Sequence, residues 1–280
     1  MHRLLHSLRI IGALALLCVT TQLMAQVVES ATSDANAEGT SAKKRLGTDQ
    51  VLRIAVPGNL FARLEKSVPT GVFVETMDAI LRKMGKSPTY IYMPIGDALN
   101  DLKDGAIAAV AVVVQTPKIK DLAFFSDPII KEYNVAATLK NKGFNLSTIS
   151  DLRGKKVGGR VGYQYPMVEK DKQIEMLRYQ SDGEMMRALL FAEIDLALIA
   201  GVSDVYTFRS EGVMTRLDVL KTAVGMVPLV VAFSKKHFSK ESVEEFNKQL
   251  ASFIGGEEWQ AILESNGQAD LVKDWPMLAQ

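Results

Sequence analysis

Residues Asp151–Tyr165 read D-L-R-G-K-K-V-G-G-R-V-G-Y-Q-Y. The pattern predicts a strand over Lys156–Gly159, a loop from Arg160 to Gln164 and a helix after Tyr165. It is a poor dinucleotide fingerprint, because the G-x-G-x-x-G spacing and an acid about 20 residues further on do not occur together. The strand-loop-helix unit recurs toward the C-terminus: strand Met176–Tyr179, helix from Gly183, strand Ile194–Ile199, helix after Val202. Ser181-Asp182-Gly183-Glu184 has the spacing of a capping box, which marks the helix start independently. Toward the N-terminus come strand Leu52–Val56, helix Val72–Met84, strand Tyr90–Met93, short helix Ile95–Leu102 and the wholly apolar strand Ala108–Val114. Val72, Met77, Ile80, Leu81 and Met84 fall on one helical face. Pro228–Ser234 reads as a late strand, and Lys240–Phe253 and Glu257–Asn266 as helices stopped by Gly267. Short apolar runs alternating with amphipathic helices predict an α/β protein with largely parallel sheets.

A second informative stretch is Thr116–Pro128, T-P-K-I-K-D-L-A-F-F-S-D-P. Thr116 suits a helix N-cap and Pro117 the first helical position, where its missing N–H costs nothing. A helix starting there would direct free amides toward an anion or a polar ligand group.

The first 25 residues read as a secretory signal: His2, Arg3, His6 and Arg9 form a basic start, Ile10–Val19 an apolar run too short to span a bilayer, and Leu23-Met24-Ala25 a cleavage site. Leu17 before Cys18 argues against lipoprotein processing. Residues 26–50, rich in Ala, Ser, Thr, Asp and Gly, read as a disordered tether, with Lys43-Lys44-Arg45 a solubilising run. Cleavage after Ala25 removes the one cysteine and leaves His237 as the one histidine, which excludes disulfides, Cys or multi-His metal clusters, and any nucleophile system not built on His237. His237 lies in S-K-K-H-F-S-K and is expected to be solvated. The full chain of 280 residues carries 33 Lys and Arg against 32 Asp and Glu and is 48% apolar, a balance without the basic footprint needed for nucleic acid. No catalytic residue, metal or cofactor is predicted.

The order of L-R-I-A-V, T-P…F-S-D-P, D-L-R-G-K-K-V-G-G and E-I-D-L-A-L-I-A over Leu52–Gly267 resembles the extracellular solute-binding proteins of the polar amino-acid type, family 3. The resemblance implies a two-lobed type II periplasmic binding protein fold, two mostly parallel sheets with helices and a cleft between the lobes. Lobe 1 is then residues 51–140 and 228–280, lobe 2 residues 141–227, with crossings near Lys140 and Val227. The implied ligand contacts are Phe61, Gln115, Thr116 and Ile119 in lobe 1 and Arg160, Tyr163, Gln164 and Tyr165 in lobe 2. Each has a structural alternative: Phe61 as a core ring, Thr116 as a cap, Tyr163 and Tyr165 as rings packed between sheet and helix.

The chain departs from the family where an amino acid would be held. Ile119 stands at the position of the Arg that clamps the α-carboxylate, a task that needs a planar cationic fork. Ala200 stands where an Asp meets the α-ammonium, Val112-Val113-Val114 replaces small and hydroxylated residues, and Asp195 retains a strand acid. Enclosing a zwitterion without partners costs about 3–5 kcal/mol for each buried charge. The expectation is therefore a periplasmic, monomeric binding protein, not an enzyme, that takes a small molecule other than a standard α-amino acid for an ABC-type permease. The alternative is a sensor or adaptor docking on a membrane signalling receptor. A dehydratase like some family relatives is a third, weaker reading, since the clamp such chemistry uses is absent.

Overall fold

The computed structural model describes residues 51–278. The expected signal and tether, residues 1–25 and 26–50, lie outside the described residues. The described residues form one compact unit. Its strands are β1 Val51–Val56, β2 Arg63–Glu65, β3 Val68–Thr70, β4 Ser87–Tyr92, β5 Ala109–Val114, β6 Ala123–Phe125, β7 Ile130–Leu139, β8 Lys156–Arg160, β9 Glu175–Tyr179, β10 Leu196–Ala200 and β11 Leu217–Ser234. Its helices are α1 Val72–Lys83, α2 Ile95–Asp104, α3 Pro166–Lys170, α4 Asp182–Leu190, α5 Ser203–Ser210, α6 Lys240–Phe253 and α7 Glu257–Ser265.

Two parallel blocks, β4-β1-β5 and β10-β8-β9, correspond to the two expected sheets. Antiparallel β7 and the 18-residue β11 join them into one nine-stranded ladder of order β4-β1-β5-β11-β7-β10-β8-β9, with β6 on β11. β11 borders the first block and β7 the second, and the two pair with each other along most of their length. β11 pairs with β5 through Leu229–Phe233, while Asn134–Ala137 of β7 pair with β10. The first block is cored by Ile54, Phe73, Met77, Ile80 and Phe233, and a cluster around Leu152, Val157, Tyr165, Leu196 and Leu198 underlies the second.

Local chemistry accounts for several ends. Ser181 Oγ accepts from the Glu184 amide at 3.2 Å, and the Glu184 carboxylate reaches back to the Gln180 amide at 3.1 Å, one residue before the capped position. At the other end of α4, Ala192 adopts φ 57° and the Glu193 amide bonds the Ala188 carbonyl at 2.8 Å, a left-handed stop made without glycine.

Two expectations are corrected. Thr116-Pro117 starts no helix. The Ile119 and Lys120 amides close a single turn on the Thr116 carbonyl at 3.1 and 3.0 Å, and the chain re-enters the sheet as β6, because F-F pairs with β11 within a few residues. His237 is not merely solvated: half-buried, its Nε2 lies 2.8 Å from the Gly105 carbonyl. Among the described residues no helix is long and apolar enough to cross a membrane.

Candidate functional site

Register places the two blocks head-on. At the end of β5, Val114 lies opposite Leu229, itself opposite Ile130; at the end of β10, Ala200 lies opposite Asn134, itself opposite Gly225. β5 and β10 run toward each other, and their ends are separated along β11 by the four-residue step from Leu229 to Gly225, about 13 Å at strand rise. The carboxyl ends of parallel strands are where open α/β sheets bind ligands. Here the loops after β1 and β5 and those after β8 and β10 are all carboxyl-end loops, with β7 and β11 beneath the gap.

On the β8 side, Tyr165 is 1% exposed, and its hydroxyl accepts from the Arg160 amide at 3.2 Å. Gly159 makes room for it, since a Cβ there would stand 2.9 Å from the ring. The Arg178 guanidinium lies 5.1 Å over the same ring and donates to the carbonyls of Arg160 and Tyr163 at 2.7 and 2.9 Å, which fixes the loop. Tyr165 is thus a structural ring with its polar end satisfied. Tyr163 is 48% exposed beneath the Arg160 guanidinium, and Gln164 is exposed. Arg160 is ion-paired with Asp182 at the start of α4, leaving Arg160 Nε and Asp182 Oδ1 buried without partners.

The turn after β10 carries the acids that sequence reasoning missed. Asp204, in the first turn of α5, accepts from the Ala200 amide through Oδ2 at 2.8 Å. Glu132, on β7, is 8% exposed and accepts from the amides of Val202 at 2.7 Å and Ser203 at 3.3 Å. Burial is the largest cause pushing Asp204 up to about 6, opposed by the Ala200 amide and by Arg160 and reinforced by Asp182. Burial likewise pushes Glu132 up to about 7 against its amide donors, with Asp204 adding to the rise. Desolvation first, then the charge of Asp204, raises the Tyr163 hydroxyl; Asp182 and Glu132 act in the same direction and Arg160 opposes them. The charges of Asp204, Asp182 and Glu132 and of the paired Arg160 guanidinium therefore all act on the Tyr163 hydroxyl. The only sequence signals for these acids were an Asp four residues after Ala200 and a Glu inside an apolar strand.

The lobe 1 candidates are dispersed. Phe61 is 4% exposed and packs against Phe73 at 6.2 Å between centroids, inside the core. Gln115 and Thr116 are exposed at the end of β5, and Ile119 is half-buried against the cluster containing Ala98, Leu102, Val113 and Val230. Among the described residues no hydrogen bond or ion pair joins any of these four to Arg160, Asp182 or Asp204. Beside them Val112, a β-branched residue, is held at φ 63° next to a register shift in the β5–β11 ladder. Asp195 is structural: its Oδ2 accepts from the Lys156 amide at 2.9 Å.

The family model of bacterial extracellular solute-binding proteins, family 3, matches residues 52–269. Similar solved structures include the substrate-binding protein of a polar amino acid ABC uptake transporter from Streptococcus thermophilus, with 19% identity, 80% of this chain and 88% of that chain covered, and a TM-score of 0.60. An amino acid ABC transporter substrate-binding protein from Streptococcus pneumoniae, bound to L-arginine, matches with 19% identity, coverage of 80% and 97%, and a TM-score of 0.54. An ancestral cationic amino acid solute-binding protein matches with 16% identity, coverage of 80% and 96%, and a TM-score of 0.60. These structures share its two-lobed type II periplasmic binding protein fold. No curated protein sequence matches the chain.

Proposed function

Because the chain belongs to the bacterial extracellular solute-binding proteins, family 3, we propose that it is the periplasmic receptor of an ABC-type importer and that its solute is an amine lacking a carboxylate. The family is associated with ABC amino-acid uptake, so the proposal departs from it in the ligand. One observation carries that departure: half-buried Asp204 and Asp182 stand at the carboxyl-end side of the second block with Glu132 buried on β7 nearby, and the guanidinium beside them, that of Arg160, is already paired. Arg160 is engaged by Asp182, and residue 119 is isoleucine. Asp204, with its carboxylate on the Ala200 amide, takes the part of the acid that Ala200 lacks. A carboxylate enclosed here would face Asp182, Asp204 and Glu132, whereas an ammonium or guanidinium group would be attracted to them. Arg160 Nε and Asp182 Oδ1 are further polar atoms that a solute can satisfy. Gln115, Thr116 and Tyr163 are the proposed remaining contacts, with Ile119 and Gln164 at the margin; Phe61 and Tyr165 support the walls from behind. The hinge is proposed where β7 and β11 pass between the blocks, near Glu132–Asn134 and Gly225–Val227; on β7 this lies before the crossing the sequence implies near Lys140, since Asn134–Ala137 already pair with β10. Closure about such crossing segments is a common response to a solute.

The test is a thermal-shift comparison of matched pairs: arginine against agmatine, and lysine against cadaverine. Each pair differs by the carboxylate alone. A ligand at about 100 times its Kd stabilises the native state by about 2.7 kcal/mol, which at this size raises Tm by roughly 5–10 °C. Agmatine or cadaverine should shift Tm and the parent amino acid should not. A larger shift with the amino acid of each pair would refute the ligand class.

A further inference from the structure

The last residues of the described chain run past the family match, which ends at residue 269, and they connect elements on both sides of the gap. The segment begins at α7, which is tied to the first block: Lys83 pairs with Glu258 at 2.9 Å, and Asn266 Nδ2 donates to Glu75 at 3.0 Å, both partners lying on α1. It ends in the second block. Leu278 is 4% exposed in the cluster with Leu152, Tyr165 and Leu198, and Ala223 of β11 holds it by two backbone hydrogen bonds, donating to the Pro276 carbonyl at 2.8 Å and accepting from the Leu278 amide at 3.0 Å. Between these anchors the segment touches the passage from block to block. Asp274 accepts from Lys131 Nζ at 2.9 Å and from the Tyr133 hydroxyl at 2.8 Å, flanking Glu132 on β7. Asp270 takes both guanidinium nitrogens of Arg209 on α5, at 3.2 and 2.8 Å. The Trp275 indole lies so close to Gly201 that a Cβ there would stand 3.3 Å from Nε1.

We propose that Asp270–Leu278 is a strap, a third link between the lobes, that limits how far the cleft opens and positions the turn bearing Asp204. The inference rests on the hinged reading of β7 and β11, but not on the identity of the solute. A rotation that opens the gap must move α7 away from the Leu278 anchor, and a nine-residue segment fixed at both ends and at Asp274 resists that separation. Its second effect runs through Tyr133. The hydroxyl of Tyr133 holds Asp274, and its carbonyl accepts from the Gly201 amide at 2.8 Å, so the strap and the turn Ala200–Asp204 share one residue of the hinge strand. Cleft opening and the position of the Asp204 carboxylate are thereby coupled.

The experiment measures the distance between spin labels at Lys86→Cys in the first block and Lys172→Cys in the second, in the full chain carrying Cys18→Ser and without added solute. Two variants relax the strap: a stop after Ala269, and a four-residue Gly-Ser insertion between Lys273 and Asp274 that leaves Asp274, Trp275 and Leu278 in their places. Both should move the distance distribution to longer values or broaden it. The insertion decides the matter if the truncated chain fails to fold. An unchanged distribution in the folded insertion variant overturns the proposal. Failure of the amine reading would appear in the thermal-shift pairs and leave this result unaffected.

Discussion

Replacing Glu132 by glutamine should flatten the dependence of stability on pH between about pH 5 and about pH 8. Burial raises the Glu132 carboxyl from 4.5 to about 7 in the folded protein. Its folded value lies above its unfolded one, so the folded state holds the proton more tightly, and stability falls wherever the unfolded chain binds fewer protons. The contribution of Glu132 is fully present below about 4.5 and is lost as the pH rises through about 7. At about 1.4 kcal/mol per pH unit, that interval corresponds to about 3 kcal/mol. Asp204 acts in the same direction over the interval from 3.8 to about 6, and its charge adds to the rise at Glu132, so the two titrations are coupled. Glu132→Gln retains an acceptor for the Val202 amide but sets a donor against the Ser203 amide, which costs about 1 kcal/mol at either pH and cancels in the comparison. Urea unfolding at the two pH values should show the wild type losing about 2–3 kcal/mol more than the variant on going from the lower to the higher. Equal losses in the two proteins would refute the argument, and would mean that Glu132 is ionised at about pH 5 despite its burial.

Ala192→Gly should raise stability by about 0.5–1 kcal/mol in the same urea assay, because Ala192 occupies the left-handed position closing α4 at φ 57° and a Cβ is unfavourable there. Gly159→Ala should lower stability by about 1–3 kcal/mol and disturb the Tyr165 ring signals in NMR, since the new Cβ would lie 2.9 Å from a ring that is 1% exposed and cannot move aside. Ile119→Arg should introduce thermal shifts by organic acids and reduce the preference for agmatine over arginine; no response across a panel of acids would mean that the half-buried side chain stays against its apolar cluster and does not face the cleft.

The order of elements was legible because most of them follow one period or the other. α1, α4, α6 and α7 show helical stripes and α4 carries a capping pair, while β1, β5 and β10 are short, largely apolar runs. What the sequence concealed lies where a residue's role depends on distant partners. β7 reads poorly as a strand because Lys131, Glu132 and Asn134 interrupt it; Glu132 is tolerated there only because amides from Val202 and Ser203 reach it across the fold. Thr116-Pro117 has the local chemistry of a helix start, yet the pairing of Phe124 and Phe125 with β11 claims the following residues after a single turn. The strap is almost without periodicity, and its anchors at Ala223, Tyr133 and Arg209 are far away in sequence. For the site, the loop from Arg160 to Tyr165 was found by its place in the family pattern, after a strand and before a helix, but the division of labour within it, Tyr165 inward and Tyr163 outward, follows from the space that Gly159 leaves.

The same distinction explains why the loss of charge at the cleft is asymmetric. Read along the strand, both contacts for a zwitterion are gone, since Ile119 replaces the cation and Ala200 the acid. Folded, one helical turn brings Asp204 back onto the amide of Ala200, so a carboxylate returns to the end of β10 from the following helix. The cation is not restored in the same way. Ile119 sits in a single turn that runs directly into β6, its neighbours Lys118 and Lys120 exposed, and Arg160 is drawn toward Asp182. On the proposed reading, an acid kept by relocation and no guanidinium at residue 119 make a cleft that discriminates by charge: an ammonium group is attracted to Asp204, and a carboxylate there meets like charge, where one broken or opposed pair is worth about two powers of ten in affinity. The discrimination expected between agmatine and arginine follows from that asymmetry, and it should weaken as the pH falls through about 6, where Asp204 gains its proton.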